Sequence, residues 1–517
     1  MIMKHILPAI AALLVATAAY AQQPGSIPMT PHMDVPLKTQ HIIVPEKFSG
    51  AFDPNHTVNL PEGWTAKLFY VGELNGSRFM AWGPDSVLYV ANQGSGLVYA
   101  LPDRNHDGVA DTAYIAARGS GHDLKFYHGA MYVAGEDQVV KFVDTDGDGV
   151  YETSSVFIDH VTSMAEHPSG GHSTRTIVFD TVRQKIYLSI GSSCNACREE
   201  TRGIVAEFNM DGTGRRTYAS GVRNAVGLAI HPRTGQLWAT NNGNDNQGAD
   251  LPPEWIDLVR DGGFYGWPFA HSYQYYNNFQ AANDYKAILP ITAADSARVR
   301  RMVPPAALVQ AHSALMAIEF PNSNAFPPEY RRGAFVASHG SWNRFPATGY
   351  KVMYLDFAND QDTTADMVGD FLTGFQLDSN GNTWARPVGL ESDSRGNLYV
   401  GSDNGVSMVL IISPPGSAQG GVDDASAPNG GLRLDASFPN PASGMITIGF
   451  ALPRPGDVSI SLLDLLGSPV ASAVENRHYE AGEHSVPFDT RSIPAGTYVY
   501  RLTAGGKSVS RTMVVVH

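Results

Sequence analysis

The sequence predicts an all-β protein: a six-bladed β-propeller followed by a small immunoglobulin-like β-sandwich. A short aromatic strand signature recurs six times, as Val87-Leu88-Tyr89-Val90-Ala91, Ala130-Met131-Tyr132-Val133-Ala134, Lys185-Ile186-Tyr187-Leu188-Ser189, Gln236-Leu237-Trp238-Ala239-Thr240, Ala334-Phe335-Val336-Ala337-Ser338 and Asn397-Leu398-Tyr399-Val400-Gly401. Its aromatic positions lie 43, 55, 51, 97 and 64 residues apart, which fits one four-stranded blade per copy, with five and seven blades as the neighbouring counts. The composition agrees: 52 Gly, 33 Pro, 22 Tyr and 22 Phe in 517 residues, with few long stretches of helical period, favour short strands joined by turns.

Taken in order, residues 1–21 follow the plan of a cleaved secretory signal: Lys4 and His5, an apolar stretch over 6–19, and Ala19-Tyr20-Ala21. The mature chain is expected to begin near Gln22, with 22–59 as an N-terminal extension and 60–413 as the propeller. No later stretch approaches the eighteen or so apolar residues a membrane span needs. A formal charge of −14 argues against binding nucleic acid or anionic lipid and leaves a small polar ligand as the easier partner. The long gap before Phe335 marks an insertion around 271–305, carrying Tyr273, Tyr275 and Tyr276, that reads equally as a cap over the rim or as a long surface loop.

Cys194 and Cys197 are the two cysteines of the chain. In an exported protein a local disulfide stiffening one loop is expected. Covalent haem attachment would want His where Arg198 stands, zinc would need two further ligands, and a thioredoxin-like site would need a βαβ context. Two acidic loops place oxygen ligands at alternating positions with Gly at the bend, the logic of a Ca²⁺ loop. One carries Asp103, Asn105, Asp107 and Asp111, the other Asp144, Asp146, Asp148 and Glu152, and their 41-residue offset puts them at matching turns of successive blades. A plain Asp-Gly hairpin without metal is the alternative for both, and an equal one for the first.

Residues 414–431 are rich in Gly, Pro and Ser and read as a linker. Beyond it, 432–517 give about six or seven short alternating strands, including Ile446-Ile448-Phe450 and Val458-Ile460-Leu462. Together with Phe438-Pro439-Asn440-Pro441 and Ile493-Pro494-Ala495-Gly496-Thr497-Tyr498, this pattern resembles the C-terminal sorting domain read by the type IX secretion system. The resemblance implies export by that machinery to the outside or the cell surface, via the periplasm; an accessory binding module is the alternative.

Three segments carry a second resemblance. Gly171-His172-Ser173-Thr174-Arg175-Thr176, Gly221-Val222-Arg223-Asn224-Ala225-Val226-Gly227 and Gly263-Phe264-Tyr265-Gly266-Trp267-Pro268, in that order, resemble the active-site strands of the soluble quinoprotein sugar dehydrogenases. This is the glucose/sorbosone dehydrogenase family of propellers, which uses pyrroloquinoline quinone (PQQ) and Ca²⁺. The likeness covers residues 60–413 and implies oxidation of an aldose or sorbosone-type sugar, with electrons passed to an unidentified acceptor. It implies His172 as the base for the sugar hydroxyl and Arg223, beside Asn224, as the cation at the quinone oxygen. It implies backbone carbonyls of Gly266, Trp267 and Pro268 on the Ca²⁺, and Arg386, in Trp384-Ala385-Arg386-Pro387, at a cofactor carboxylate. The family's cofactor-pairing Lys has Arg344 or Lys351 as substitutes, and Gly171 and Ser192 or Ser193 replace acidic residues. These departures point away from glucose itself. A metal-dependent lactonase and a non-catalytic glycan- or protein-binding propeller are the alternative functions.

Overall fold

The computed structural model describes residues 27–105, 107–162, 171–416 and 432–516, the last without 436, 438, 439, 453 and 465–467. The expected signal segment 1–21 and nearly all of the linker lie outside the described residues. The regular secondary structure of the described residues is nearly all strand, and none of the helices is long and apolar enough to cross a membrane.

Six antiparallel sheets follow one another along the chain. Sheet 1 is Ser77–Trp82, Leu88–Asn92, Leu97–Leu101 and Tyr114–Arg118, and sheet 2 is Asp123–Tyr127, Ala130–Ala134, Val139–Val143 and Thr153–Ile158. Sheet 3 (Ile177–Asp180, Lys185–Ile190, Ile204–Asn209, Arg216–Ser220) gains Gly263–Phe264 as a parallel edge. Sheet 4 is Leu228–Ile230, Leu237–Asn241, Glu254–Val259 and Ala307–Val309. Sheet 5 (Leu315–Glu319, Ala334–Ser338, Lys351–Asp356, Met367–Leu372) gains His32–Met33 in parallel. Sheet 6 joins Ala385–Ser392, Leu398–Gly405 and Met408–Ser413 to Thr65–Val71, with Ser413 opposite Thr65 and Met408 opposite Val71. The two ends of the domain thus share one sheet.

The six signature aromatics occupy the second strand of each sheet, and all six are buried. Apolar residues alternate with small ones there because both faces of that strand pack against neighbouring sheets. Strands reverse direction at every turn, so turns between second and third strands and links between sheets share one end. Turns between third and fourth strands lie at the other end, and both acidic loops are of that kind.

The insertion is ordered. It forms the strand pair Ala270–His271 with Tyr275–Tyr276, helix α1 (Asn283–Lys286) and helix α2 (Ala293–Val299), whose N-terminus carries a Thr292/Asp295 capping box. Tyr285, Ile288, Val299 and Met302 bury a small core against Phe264, Phe269 and Ala196, so the segment is a cap and not a free loop. After the linker, Arg433–Leu434, Met445–Leu452 and Gly482–Asp489 form one sheet, and Pro469–Tyr479, Gly456–Leu463, Gly496–Ala504 and Lys507–Val515 form another. A separate apolar core that includes Ile446, Ile448, Phe450, Ile460 and Tyr500 holds them.

Asp257, on the third strand of sheet 4, is buried with neither carboxyl oxygen in a hydrogen bond. Burial pushes its pKa well above the ordinary value, and the Trp255 side chain offsets only part of that. A carboxyl that ionises more easily in the unfolded chain favours unfolding as pH rises above about 4, by up to about 1.4 kcal/mol per pH unit. Asp257→Asn is therefore expected to melt higher than the parent at pH 8. The gap should narrow on acidification toward pH 4, as read from melting curves across that range.

Candidate active site

His172 heads the entry to sheet 3. Its Nδ1 lies 2.9 Å from the Ser192 carbonyl and 3.1 Å from Ser192 Oγ. A carbonyl only accepts, so Nδ1 carries the proton and Nε2 keeps its lone pair. Burial first, then the neighbouring Arg223, Arg202 and Arg175, lower the imidazole pKa to about 3, with the Ser192 backbone bond acting in the opposite sense. The ring is thus a neutral base at physiological pH. Close backbone approach makes this possible. A Cβ on Gly171, whose φ is +81°, would lie 2.4 Å from Ser193 Cα, and one on Gly191 would lie 2.6 Å from both His172 Cβ and Asn224 Oδ1. No side chain has room at position 171.

Arg223 and Asn224 enter from the link between sheets 3 and 4. Arg223 is buried, and all its donors are engaged: Nε to the Asn195 carbonyl (3.1 Å), one terminal nitrogen to the Gly243 and Asn242 carbonyls (2.6 and 3.4 Å), the other to Asn195 Oδ1 and Asp245 Oδ2 (both 3.1 Å). Asp245 also accepts from Asn343 Nδ2 at 2.8 Å. Beneath them Glu254 is fully buried, accepts from Gly243 N–H, and has its pKa pushed up to about 7 by desolvation. The opposite wall is built on Asp403, which takes His339 Nε2 at 2.8 Å and Arg78 at 2.6 Å. Arg386 donates to the His339 and Gly340 carbonyls (2.9 and 2.7 Å) over the Tyr350 ring, and Arg78 Nε donates to His122 Nδ1 at 3.0 Å.

Of the residues expected from sequence, the structure brings His172, Arg223 and Asn224 together and sets Arg386 among the links at the same end. It does not bring Arg344, Lys351 or the acidic loops to them. Arg344 is tied to the Ala249 carbonyl and Asp250, and Lys351 pairs with Asp370 at 2.6 Å. The Gly266-Trp267-Pro268 turn, expected to present carbonyls to a cation, follows the parallel edge strand of sheet 3, donates Trp267 N–H to the Gly221 carbonyl at 3.1 Å, and uses two of its three carbonyls internally. Gly266 O accepts from Phe269 and Ala270 N–H, and Pro268 O accepts from Asn277 Nδ2 at 2.7 Å. Trp267 reaches inward only through its indole N–H, to the Asn195 carbonyl at 3.0 Å. The acidic loops sit at the far end. Oxygens of Asp144, Asp146, Asp148 and Glu152 lie within 4.8 Å of one another, whereas Asp103 and Asp111 accept from backbone N–H groups of their own loop, which also holds Asn105 and Asp107. Sequence reasoning missed Asn195, Asp245, Glu254, Asn343, His339 and Asp403. The run Asn241-Asn242-Gly243-Asn244-Asp245, polar immediately after a buried strand, was the available signal for part of this set.

Six buried polar atoms at this end have no hydrogen-bond partner: His122 Nε2, Thr174 Oγ1, Arg175 NH2, Asn241 Nδ2, Asn242 Oδ1 and Asn343 Oδ1. Unmet groups of both kinds, gathered at one end, are the mark of a site built for a polar ligand. The donors suit carboxylate or quinone oxygens, and the two amide oxygens beside Asp245 suit a hard cation.

Residues 58–413 match the TrAA12-like family model, and 436–516 match the secretion system C-terminal sorting domain. Among solved structures, the holo form of the pyranose dehydrogenase PQQ domain from Coprinopsis cinerea is 20% identical with a TM-score of 0.58, covering 72% of this chain and 100% of that one. The calcium structure of the Trichoderma reesei Carbohydrate-Active Enzymes Family AA12 protein is 18% identical with a TM-score of 0.59, covering 71% and 99%. An uncharacterized protein of Borreliella burgdorferi is 26% identical over 68% of this chain and 89% of its own length.

Proposed function

The chain belongs to the TrAA12-like family, and from that premise we propose that it is an exported PQQ- and Ca²⁺-dependent dehydrogenase that oxidises an aldose or sorbosone-type sugar. The six sheets are read as six propeller blades over 60–413, and the two C-terminal sheets as an immunoglobulin-like sandwich over 432–517. The sorting domain indicates secretion or cell-surface placement through the type IX machinery.

Oxidising a sugar carbinol removes two electrons and two protons: the hydroxyl proton needs a base, and the carbon-bound hydrogen with its electron pair needs a hydride acceptor, which no side chain is. Bound PQQ with Ca²⁺ would supply that acceptor. The protein's part begins at His172 Nε2, the free lone pair of a ring held neutral, which takes the hydroxyl proton. Arg223 offers a fixed positive charge whose plane is set by five hydrogen bonds before any ligand arrives, so no reorganisation is needed as negative charge develops. Asn242 Oδ1, Asn343 Oδ1 and Asp245 would hold the cation, in place of the Gly266-Trp267-Pro268 carbonyls. His122, Arg175 and Arg386 would meet the cofactor's acidic groups.

The His172 tautomer carries this reading. Its test is titration of signal-free protein with PQQ in Ca²⁺ buffer, followed by an aldose panel with an electron-accepting dye. Saturable binding and sugar-dependent dye reduction that require both PQQ and Ca²⁺ are expected; a flat titration at every Ca²⁺ concentration overturns the reading. Chelation should abolish dye reduction and added Ca²⁺ restore it. In Asn343→Ala the Ca²⁺ concentration for half-restoration should rise about tenfold or more, the loss of one ligand costing about 1.4 kcal/mol or more.

A further inference from the structure

The loop over 192–199, closed by the Cys194–Cys197 disulfide, touches both halves of the site. On one side Ser192 holds His172 Nδ1 through its carbonyl and hydroxyl, and Ser192 Oγ donates to the Cys194 carbonyl at 2.6 Å. On the other side Asn195, between the cysteines, makes six contacts. Its carbonyl accepts from Arg223 Nε (3.1 Å) and from the Trp267 indole (3.0 Å). Its Oδ1 accepts from an Arg223 terminal nitrogen (3.1 Å) and from Asp245 N–H (2.7 Å). Its Nδ2 donates to Asp284 Oδ2 on α1 (2.6 Å) and to the Asp245 carbonyl (3.3 Å). Arg198 fastens the loop's far end to the cap, through the Ile288 and Pro290 carbonyls and Asp295.

Residues 191–203 contain no strand or helix. A loop without a ladder has little to keep two carbonyls, Ser192 and Asn195, in fixed directions. The covalent link between Cys194 and Cys197 supplies that restraint at the residue where it is needed. We infer that Asn195 is the positioning residue of the site, aiming Arg223, and that the disulfide, by fixing Asn195 and Ser192 together, sets the spacing of the cation and the base. Asn195 and Ser192 act through the groups they hold, and the inference rests on the proposed dehydrogenase only for its kinetic readout.

The test uses the full mature chain and three variants: Asn195→Ala, Cys194→Ser with Cys197→Ser, and the exchange Asn195→Asp with Asp284→Asn. The exchange keeps an Oδ1 acceptor for Arg223 and restores the bond to position 284 with its polarity reversed. Asn195→Ala and the serine pair are expected to lose about 10- to 100-fold in kcat with KM and PQQ stoichiometry unchanged, the size of loss that misplacement by about 1 Å brings. The exchange should recover most of it. A second readout needs no cofactor: the pH titration of His172, followed by NMR on histidine-labelled protein. The charged groups facing His172 are Arg223, Arg202 and Arg175. In the serine pair the imidazole pKa should rise from about 3 toward the ordinary value as the pocket loosens. Unchanged kcat together with an unchanged His172 titration overturns the inference. If the parent binds no PQQ, the dehydrogenase reading fails, and the His172 titration alone decides whether the disulfide positions these groups.

Discussion

His172→Ala is expected to lower sugar-dependent dye reduction by about 10²- to 10⁴-fold, the usual worth of a positioned general base, while PQQ still binds. Burial and three arginines hold the imidazole neutral down to about pH 3. Because the charged form is the one penalised, the base is fully competent above that value, and kcat/KM should show no acid limb near 6.5. An inflection near pH 7 belongs to Glu254, whose carboxyl is raised to about 7 by burial, and Glu254→Gln should remove it. A pH profile whose limb near 6.5 disappears in His172→Ala would show an ordinary, solvated imidazole and contradict the geometry. The same depression has a stability sign. An imidazole that protonates more readily when unfolded costs stability progressively as pH falls below about 6.5, so His172→Ala should resist acid unfolding better than the parent.

Arg223→Ala is the second large effect. Its guanidinium is almost fully buried and pairs with Asp245 at 3.1 Å. Removing the guanidinium leaves the half-buried Asp245 carboxylate and the Asn195 and Gly243 carbonyls without their donor, at a cost of up to about 3–5 kcal/mol. Denaturant unfolding should show a loss of that size. Arg223→Lys should recover only part, since an ammonium cannot serve the Asn195, Gly243 and Asp245 oxygens at once. Pairing Arg223→Ala with Asp245→Ala should restore stability without restoring dye reduction. A single Arg223→Ala variant that keeps both stability and turnover would mean that the cation is neither structural nor catalytic.

Much of the scaffold was legible because it is periodic. Tyr89, Tyr132, Tyr187, Trp238, Phe335 and Tyr399 each mark the second strand of a sheet, a position packed on both faces in every sheet, where bulky apolar residues recur. His172 and Arg223 stood out only through the family resemblance that their ordered segments carry; each precedes the first strand of a sheet, a position that alone is unspecific. What the residues alone could not show is where separate loops converge. Asn195, Asp245, Glu254 and Asn343 come from three different turns, and apart from the polar run that ends at Asp245 none has a distinctive local pattern. The Gly266 and Pro268 carbonyls turned out to be used within their own loop for a related reason: a motif specifies a bend, but the direction of its carbonyls depends on what the bend packs against. The insertion could not be told from a loop because its helices are too short to establish a period. The far-end position of the acidic loops, by contrast, follows from counting strand reversals.

The sharing of sheet 6 between Thr65–Val71 and Met408–Ser413 has a consequence for the order of events in the cell. A chain emerging from the ribosome or crossing an inner membrane offers its early strand long before the partner exists, and such distant pairing is slow to form. The ring cannot lock until residue 413 has arrived, and the linker and the sorting domain come after it. Machinery that reads the tail therefore meets the enzyme when its last structural strand is already available, so the address arrives after the cargo can be finished and does not compete with its completion.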